Sequence, residues 1–221
     1  MRTIAVIARK GGSGKTTVAV HMAIAAHLRG YRTLLADSDP QRSSGAVLRG
    51  RVGAGPAYTE TSGPQLFSMQ AGALRADIDA CLIDTAAGAE DELAHAIVLA
   101  DLSLLVIRPT FLDFAAAIRT AEVLRRLRRP GLIVLNQAPV SRAGAEPPLV
   151  KKAQEALRLM RLPLAPIILR ARTAYQSALE TGASAEETAP GAIAAQEIAA
   201  LWSYIERLTF GVPAAAAQRR A

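Results

Sequence analysis

The sequence predicts an α/β domain: a mostly parallel, twisted sheet with helices on both faces. Three observations carry that expectation. Short, continuously apolar runs alternate with segments of helical periodicity along the whole chain, as strands buried on both faces require. The first apolar run opens directly onto a glycine-rich turn, at the sheet edge where such folds gather ligands. With 221 residues, 51% of them hydrophobic and 20% charged, the chain can bury one full core.

In order, residues 2–8 read as a strand and 16–29 as a helix stopped by Gly30, glycine being a common helix terminator. Residues 32–36 form the next strand, ending before Asp37. A short helix is expected over 41–48, and a loop over the Gly/Pro/Thr-rich stretch 50–63. A short strand at 66–69 and a short helix at 71–78 precede a strand at 81–84. Helix 90–99 and strand 102–107 lead to a longer helix over 113–129, whose core face is marked by Phe114, Ile118, Ala121 and Leu124. Strand 132–135, helix 149–159, strand 165–169, helix 173–181 and a final helix over 193–208 complete the series. The expected organisation is one domain over 1–211 and a flexible alanine-rich tail over 212–221.

Composition removes several classes. The single cysteine, Cys81, excludes an internal disulfide, and its apolar setting reads as a buried small hydrophobe. The apolar run 4–8 is too short for a signal sequence, and no stretch approaches the ~20 apolar residues that cross a bilayer. The expected location is the cytoplasm. A net charge of +7 calls for an acidic partner, either nucleic acid or anionic membrane.

Residues 10–17, Lys-Gly-Gly-Ser-Gly-Lys-Thr-Thr, carry the chemistry. A helix N-terminus offers unpaired N–H groups and the positive end of the helix dipole to phosphate. Gly11, Gly12 and Gly14, with Ser13 between them, let the backbone wrap closely around it. Lys15 reaches the β- and γ-phosphates, Thr16 supplies a hydroxyl to Mg²⁺, and Thr17 continues into the helix. Arg9 stands where the stricter phosphate-loop pattern has its first glycine.

Three acids end strands on the same edge: Asp37 and Asp39 after the second strand, and Asp84. Nucleotide-bound Mg²⁺ needs one or two carboxylates, and an attacking water needs an orienting group. Each acid alone also reads as a helix N-cap, Asp39 before Pro40 most of all; their convergence favours hydrolysis. Lysine occurs only at 10, 15, 151 and 152. Lys10 cannot easily approach the same phosphates as Lys15 from the same side. Supplied by a second subunit it would act as an arginine finger does; otherwise it is a solvated lysine at a loop edge.

The segments 10–17, Asp-Ser-Asp-Pro-Gln at 37–41 and Leu-Ile-Asp-Thr at 82–85 resemble the ParA/MinD family of deviant Walker A ATPases. Within it the chain looks most like small partition proteins without an N-terminal helix-turn-helix. Residues 108–117 and 176–182 are similar to segments of the ParF-type members. The resemblance implies a P-loop NTPase fold, ATP and Mg²⁺ as cofactors, and a sandwich homodimer in which Lys10 reaches the other subunit's nucleotide. It implies that Asp39 orients the water, that Asp84 holds the Mg²⁺ shell through water, and that Asn136 contacts adenine. Asp37 falls in the same switch segment. Ala86-Ala87 stands where many members carry two prolines.

The same resemblance implies non-specific binding to nucleoid DNA and weak hydrolysis stimulated by a centromere-binding adaptor of ParB or ParG type. A MinD-like membrane-cycling regulator, or a positioner of protein clusters, is the alternative. Candidate DNA contacts are Lys151, Lys152, Arg158, Arg161, Arg170 and Arg172. No base-reading motif is present, so contacts should be to phosphates. A second cluster, Arg125, Arg126, Arg128 and Arg129, sits at a helix end, which favours cations in any case. The last helix carries Ile198, Leu201, Trp202, Ile205 and Leu208 opposite Glu197 and Glu206. With only Arg207 on the polar side, it is expected to pack in the core and not on membrane.

Overall fold

A computed structural model describes residues 1–88, 90–141 and 145–211; the tail expected over 212–221 lies outside the described residues. Six strands form one sheet: β1 (Arg2–Ile7), β2 (Thr33–Asp37), β3 (Ala57–Glu60), β4 (Ala80–Asp84), β5 (Leu102–Ile107) and β6 (Gly131–Leu135). Their order is β3-β2-β4-β1-β5-β6, and every pairing is parallel. The helices are α1 (Lys15–Leu28), α2 (Ser43–Arg49), α3 (Leu66–Arg75), α4 (Glu90–Leu99), α5 (Phe111–Arg126), α6 (Pro148–Arg158), α7 (Thr173–Glu180), α8 (Ala185–Thr188) and α9 (Ile193–Phe210).

The period-2 alternation of each strand divides the core into two layers. Ile4, Val6, Leu35, Leu82 and Leu104 pack against α1 and α9, with Trp202 and Ile205 fully buried. Ala5, Ile7, Ile83, Leu105 and Leu135 face the other way, against α4, α5 and α6. In α1, every residue from Val18 to Ala26 is buried, and four of those nine are alanine. Small side chains let this helix lie close over the centre of the sheet.

This layering positions the site. The chain leaves β1 toward one face, through α1, and β5 toward the other, through α5. It parts in the same way after β2 and β4. Such divergence opens crevices at the carboxyl ends of the strands. One crevice receives the phosphate loop and the start of α5; the other receives Asp37 and Asp84.

Several expectations need correction. Residues 66–69 are the first turn of α3, not a strand; a 3-10 turn at Gly63–Gln65, with Pro64 near its start, feeds directly into that helix. The expected loop 50–63 contains β3, which pairs only with β2 and is mostly exposed, so it lacks the apolar signature of the inner strands. Residues 165–169 follow the outer edge of β6 through Ala165 N–H to Ile133 O (2.8 Å) and Leu169 N–H to Leu135 O (3.0 Å). They form no strand: isolated bridges flank them at Leu164 and Arg170, and Pro163 and Pro166 interrupt the ladder. Ile118 is 48% exposed, and the buried stripe of α5 runs through Ala117, Ala121 and Leu124. At the end of α9, Leu208 is exposed while Glu206 is buried and accepts a hydrogen bond from the Tyr31 hydroxyl (2.7 Å).

Candidate nucleotide-binding site

Helix α1 begins at Lys15 with Gly14 as its N-cap, at φ 88°. No side chain caps this end and no acid lies in its first turn, so its N–H groups are open to an anion. Gly14 has a second reason to be glycine. A Cβ there would clash with Asn136 Nδ2. That amide donates to Ser13 O (2.8 Å), and Gln137 Nε2 donates to Gly12 O (3.0 Å). Two consecutive amides after β6 thus brace the loop. Gln137 was not among the expected site residues, and nothing in the sequence marked it except its place beside Asn136.

Asp84 ends β4 in register with Asp37 on β2 and Val6 on β1. It is fully buried, and among the described residues neither carboxylate oxygen has a well-aligned hydrogen-bond partner. Burial pushes its pKa up to about 7, Asp37 adds to the rise, and the nearby Thr16 and Ser44 hydroxyls and Lys15 oppose it. Lys15 is shifted the other way: burial lowers its pKa, while Asp84 and Asp39 pull it back. An unsatisfied buried carboxylate beside the Thr16 hydroxyl fits a nucleotide-borne Mg²⁺ with its water shell. When bound, the ion neutralises charge on the phosphates.

Asp37 is also buried, but its oxygens are engaged. Oδ1 accepts from Asp39 N–H (3.1 Å) and Oδ2 from Gly45 N–H (2.9 Å), so the metal role expected of it meets a carboxylate already holding backbone. Asp39 is half-buried, accepts from Gln41 N–H (2.9 Å) and lies within electrostatic reach of Lys15. Arg42 Nη1 ties the segment down by donating to Asp37 O and Thr61 O.

Lys10 lies across the other crevice. Its Nζ is 3.3 Å from Asp113 Oδ2 at the start of α5. Burial pushes the Asp113 carboxyl up, but hydrogen bonds from Arg108 and Thr110 hold it below its ordinary range.

A family model described as the CobQ/CobB/MinD/ParA nucleotide binding domain matches residues 4–183. This chain belongs to the ParA/MinD family of nucleotide-binding proteins. It is 31% identical over 189 residues to maintenance of carboxysome distribution protein A from Gloeobacter kilaueensis, covering 83% of each chain. A putative replication protein A from Rhizobium rhizogenes is 50% identical over 48 residues, a match spanning 22% of this chain and 12% of that protein's length. Among solved structures, the cell division ATPase MinD of Pyrococcus furiosus superposes with a TM-score of 0.74 at 23% identity, covering 94% of this chain and 99% of that one. A putative plasmid partition protein from Borrelia burgdorferi bound to AMPPNP gives 0.72 at 14% identity, covering 93% and 98%. The open N-terminus of α1 and the unpartnered Asp84 suit the ATP and Mg²⁺ expected as cofactors.

Beside the loop of this ParA/MinD-family chain lies a cleft of about 320 Å³ lined by Thr17, Asn136, Gln137, Arg172, Tyr175 and Gln176, among others. Asn136, the residue expected to contact adenine, lines that cleft. The six basic candidates divide into two groups. Lys151, Lys152, Arg158 and Arg161 are exposed on or just after α6. Arg170 forms a forked pair with Glu146 (2.7 Å on each side), and Arg172 pairs with Glu197 (2.7 Å). These two arginines are committed within the fold.

Proposed function

We propose that the chain is an ATP-driven partition protein of ParA type. ATP joins two copies face to face across the loop edge, and the dimer holds nucleoid DNA without reading its sequence. A centromere-binding adaptor of ParB or ParG type stimulates the weak hydrolysis and releases the dimer. Lys10 carries this reading. It precedes a complete phosphate loop, yet its ammonium rests on α5 and not among Asp84 and Asp39, the acids around Lys15. A lysine so placed suits a nucleotide approaching from outside, as an arginine finger does. In this reading Asp39 orients the attacking water and the four exposed cations on and just after α6 meet phosphates.

The membrane alternative finds less support. The apolar stripe of α9 is occupied in the core, where Leu201, Trp202 and Ile205 are fully buried. Among the described residues no helix is long and apolar enough to cross a membrane. DNA co-sedimentation and liposome co-sedimentation, each with ATP and with ADP, test the proposal. ATP-dependent retention on DNA is expected; retention only on anionic liposomes would remove the partition reading.

A second reading has one specific observation behind it, the likeness to the carboxysome distribution protein. In this reading the cycle is the one proposed above and the cargo is a protein cluster. The adaptor separates the two: one that binds a DNA site supports segregation of a replicon, and one that binds a protein shell supports positioning.

A further inference from the structure

Helices α5 and α6 cover the same face of the sheet and leave a groove of about 340 Å³ between them. Its walls are apolar: Phe114 and Ile118 come from α5, and Ala156, Leu159 and Met160 from the end of α6. Ile118 is 48% exposed and Leu159 82% exposed, although the helical spacing of Ile118 marks it for a core. Arg125 and Arg161 line the same groove. Both are exposed, and among the described residues neither forms an ion pair; Arg125 Nε donates to Ala121 O (3.3 Å).

Topology places this charge. Each of the two helices starts at the carboxyl edge of the parallel sheet and ends at the amino edge. Arg125, Arg128, Arg129, Arg158 and Arg161 therefore gather at the edge opposite the phosphate loop. A helix end accounts for cations, but not for large apolar side chains left in water beside them. Phosphates would use the arginines and leave Ile118 and Leu159 without a role. A lipid surface takes up a protruding apolar ridge, and this surface is concave. The neighbouring acids Glu122 and Glu155 are exposed and do not line the groove. A second copy meeting groove to groove would bring the same positive charge, and the tail at 212–221 adds Arg219 and Arg220.

We infer that the groove between α5 and α6 docks an acidic amphipathic helix of a protein partner. Apolar side chains recurring along one face of that helix fill the groove beside Ile118 and Leu159, and its carboxylates pair with Arg125 and Arg161. The groove's basic end lies at the edge of the sheet away from the nucleotide, so one copy suffices to hold the partner, with either nucleotide bound. This goes beyond the partition reading and does not depend on it.

The probe is a fluorescent synthetic helix of about 18 residues, with leucine at i, i+3, i+4 and i+7 and glutamate on the flanks, beside a twin carrying lysine for glutamate. Fluorescence anisotropy with the full chain should show micromolar binding of the glutamate helix, about tenfold tighter than its twin and equal with ATP and ADP. Arg125→Glu together with Arg161→Glu should reverse that preference. Ile118→Ser together with Leu159→Ser, at positions already exposed, should weaken the glutamate helix about tenfold and leave ATP-dependent retention on DNA as it was. Absence of binding, equal affinity for the two helices, or indifference to either pair of substitutions would overturn the inference. Binding only with ATP would place the site at the dimer face and overturn it too. Loss of retention on DNA, or on phosphatidylglycerol vesicles, from Ile118→Ser with Leu159→Ser would assign the groove to that surface instead. An unaltered chain that binds the glutamate helix but is not retained on DNA would overturn the partition reading alone.

Discussion

Asp84 and Asp37 stand side by side in register at the ends of β4 and β2, yet only Asp37 is satisfied by hydrogen bonds. Two buried acids at one height in the sheet are thereby given different work. Asp37 holds the backbone of the 37–45 segment; Asp84 has no aligned partner, which suits the cation role proposed for it.

Asp84→Asn should separate stability from function. The buried charge is removed, so the nucleotide-free protein should lose nothing in thermal stability, while Mg²⁺-dependent ATP hydrolysis should fall by about two orders of magnitude. A melting curve and a steady-state phosphate-release assay check the two halves.

Acid titration should expose opposing groups. Burial pushes the Asp84 pKa from 3.8 up to about 7, so the native state holds the extra proton between those values and stability falls as pH rises through them. His21 is buried, and burial lowers its pKa from 6.5 to about 4, so the unfolded state holds the extra proton there and stability rises with pH. Each contributes a slope of up to about 1.4 kcal/mol per pH unit. Between about pH 5 and 6.5 the two should nearly cancel. Asp84→Asn should tilt the stability profile upward with pH, and His21→Leu should tilt it downward. Denaturant midpoints at several pH values measure this; parallel profiles would disprove it.

Asn136→Ala should loosen the phosphate loop by removing the amide that holds Ser13 O. Loss of about one to two kcal/mol, or roughly tenfold in nucleotide Kd, is expected. Gln137→Ala, whose side chain is exposed, should cost less. Isothermal titration with ADP distinguishes them.

Arg51 is a structural clamp. Its side chain is 9% exposed and forks onto Glu187 while Nη1 donates to Gly182 O (2.9 Å). Arg51→Ala leaves Glu187 without its partner and should destabilise the fold by about 3 kcal/mol, read from urea unfolding.

The α6 cations should act on DNA through charge alone. Neutralising Arg158 and Arg161 together should lower ATP-dependent DNA affinity and reduce the salt slope by about two. Arg170→Ala should instead lower the melting temperature, because it breaks the forked pair with Glu146. Filter binding across a KCl series resolves the two outcomes.

What could be read from the sequence followed burial. Strands β1, β4, β5 and β6 are buried on both faces, apart from the first residue of β1, and announce themselves as apolar runs. Ala57-Tyr58-Thr59-Glu60 lies at the sheet edge and gives no such sign. Leu66-Phe67-Ser68-Met69 has strand-like residue types, and only the helix continuing beyond it settles its conformation. In the site, the loop and the strand-end acids were legible because each is local. Asp113 lies 103 residues from Lys10, and Asn136 lies 123 from Ser13. Contacts of that span depend on which strands are neighbours, which no local pattern states.

The two borders of the sheet have a consequence for assembly. On one side β3 is four residues long and ends at Glu60, which is ion-paired to Arg49. On the other, the proline-interrupted stretch after α6 already occupies the outer backbone groups of β6. Short, charged or covered borders discourage strand-by-strand growth and aggregation. Copies of this chain that meet are thereby directed to their side-chain surfaces, where association can be made and undone by a small molecule.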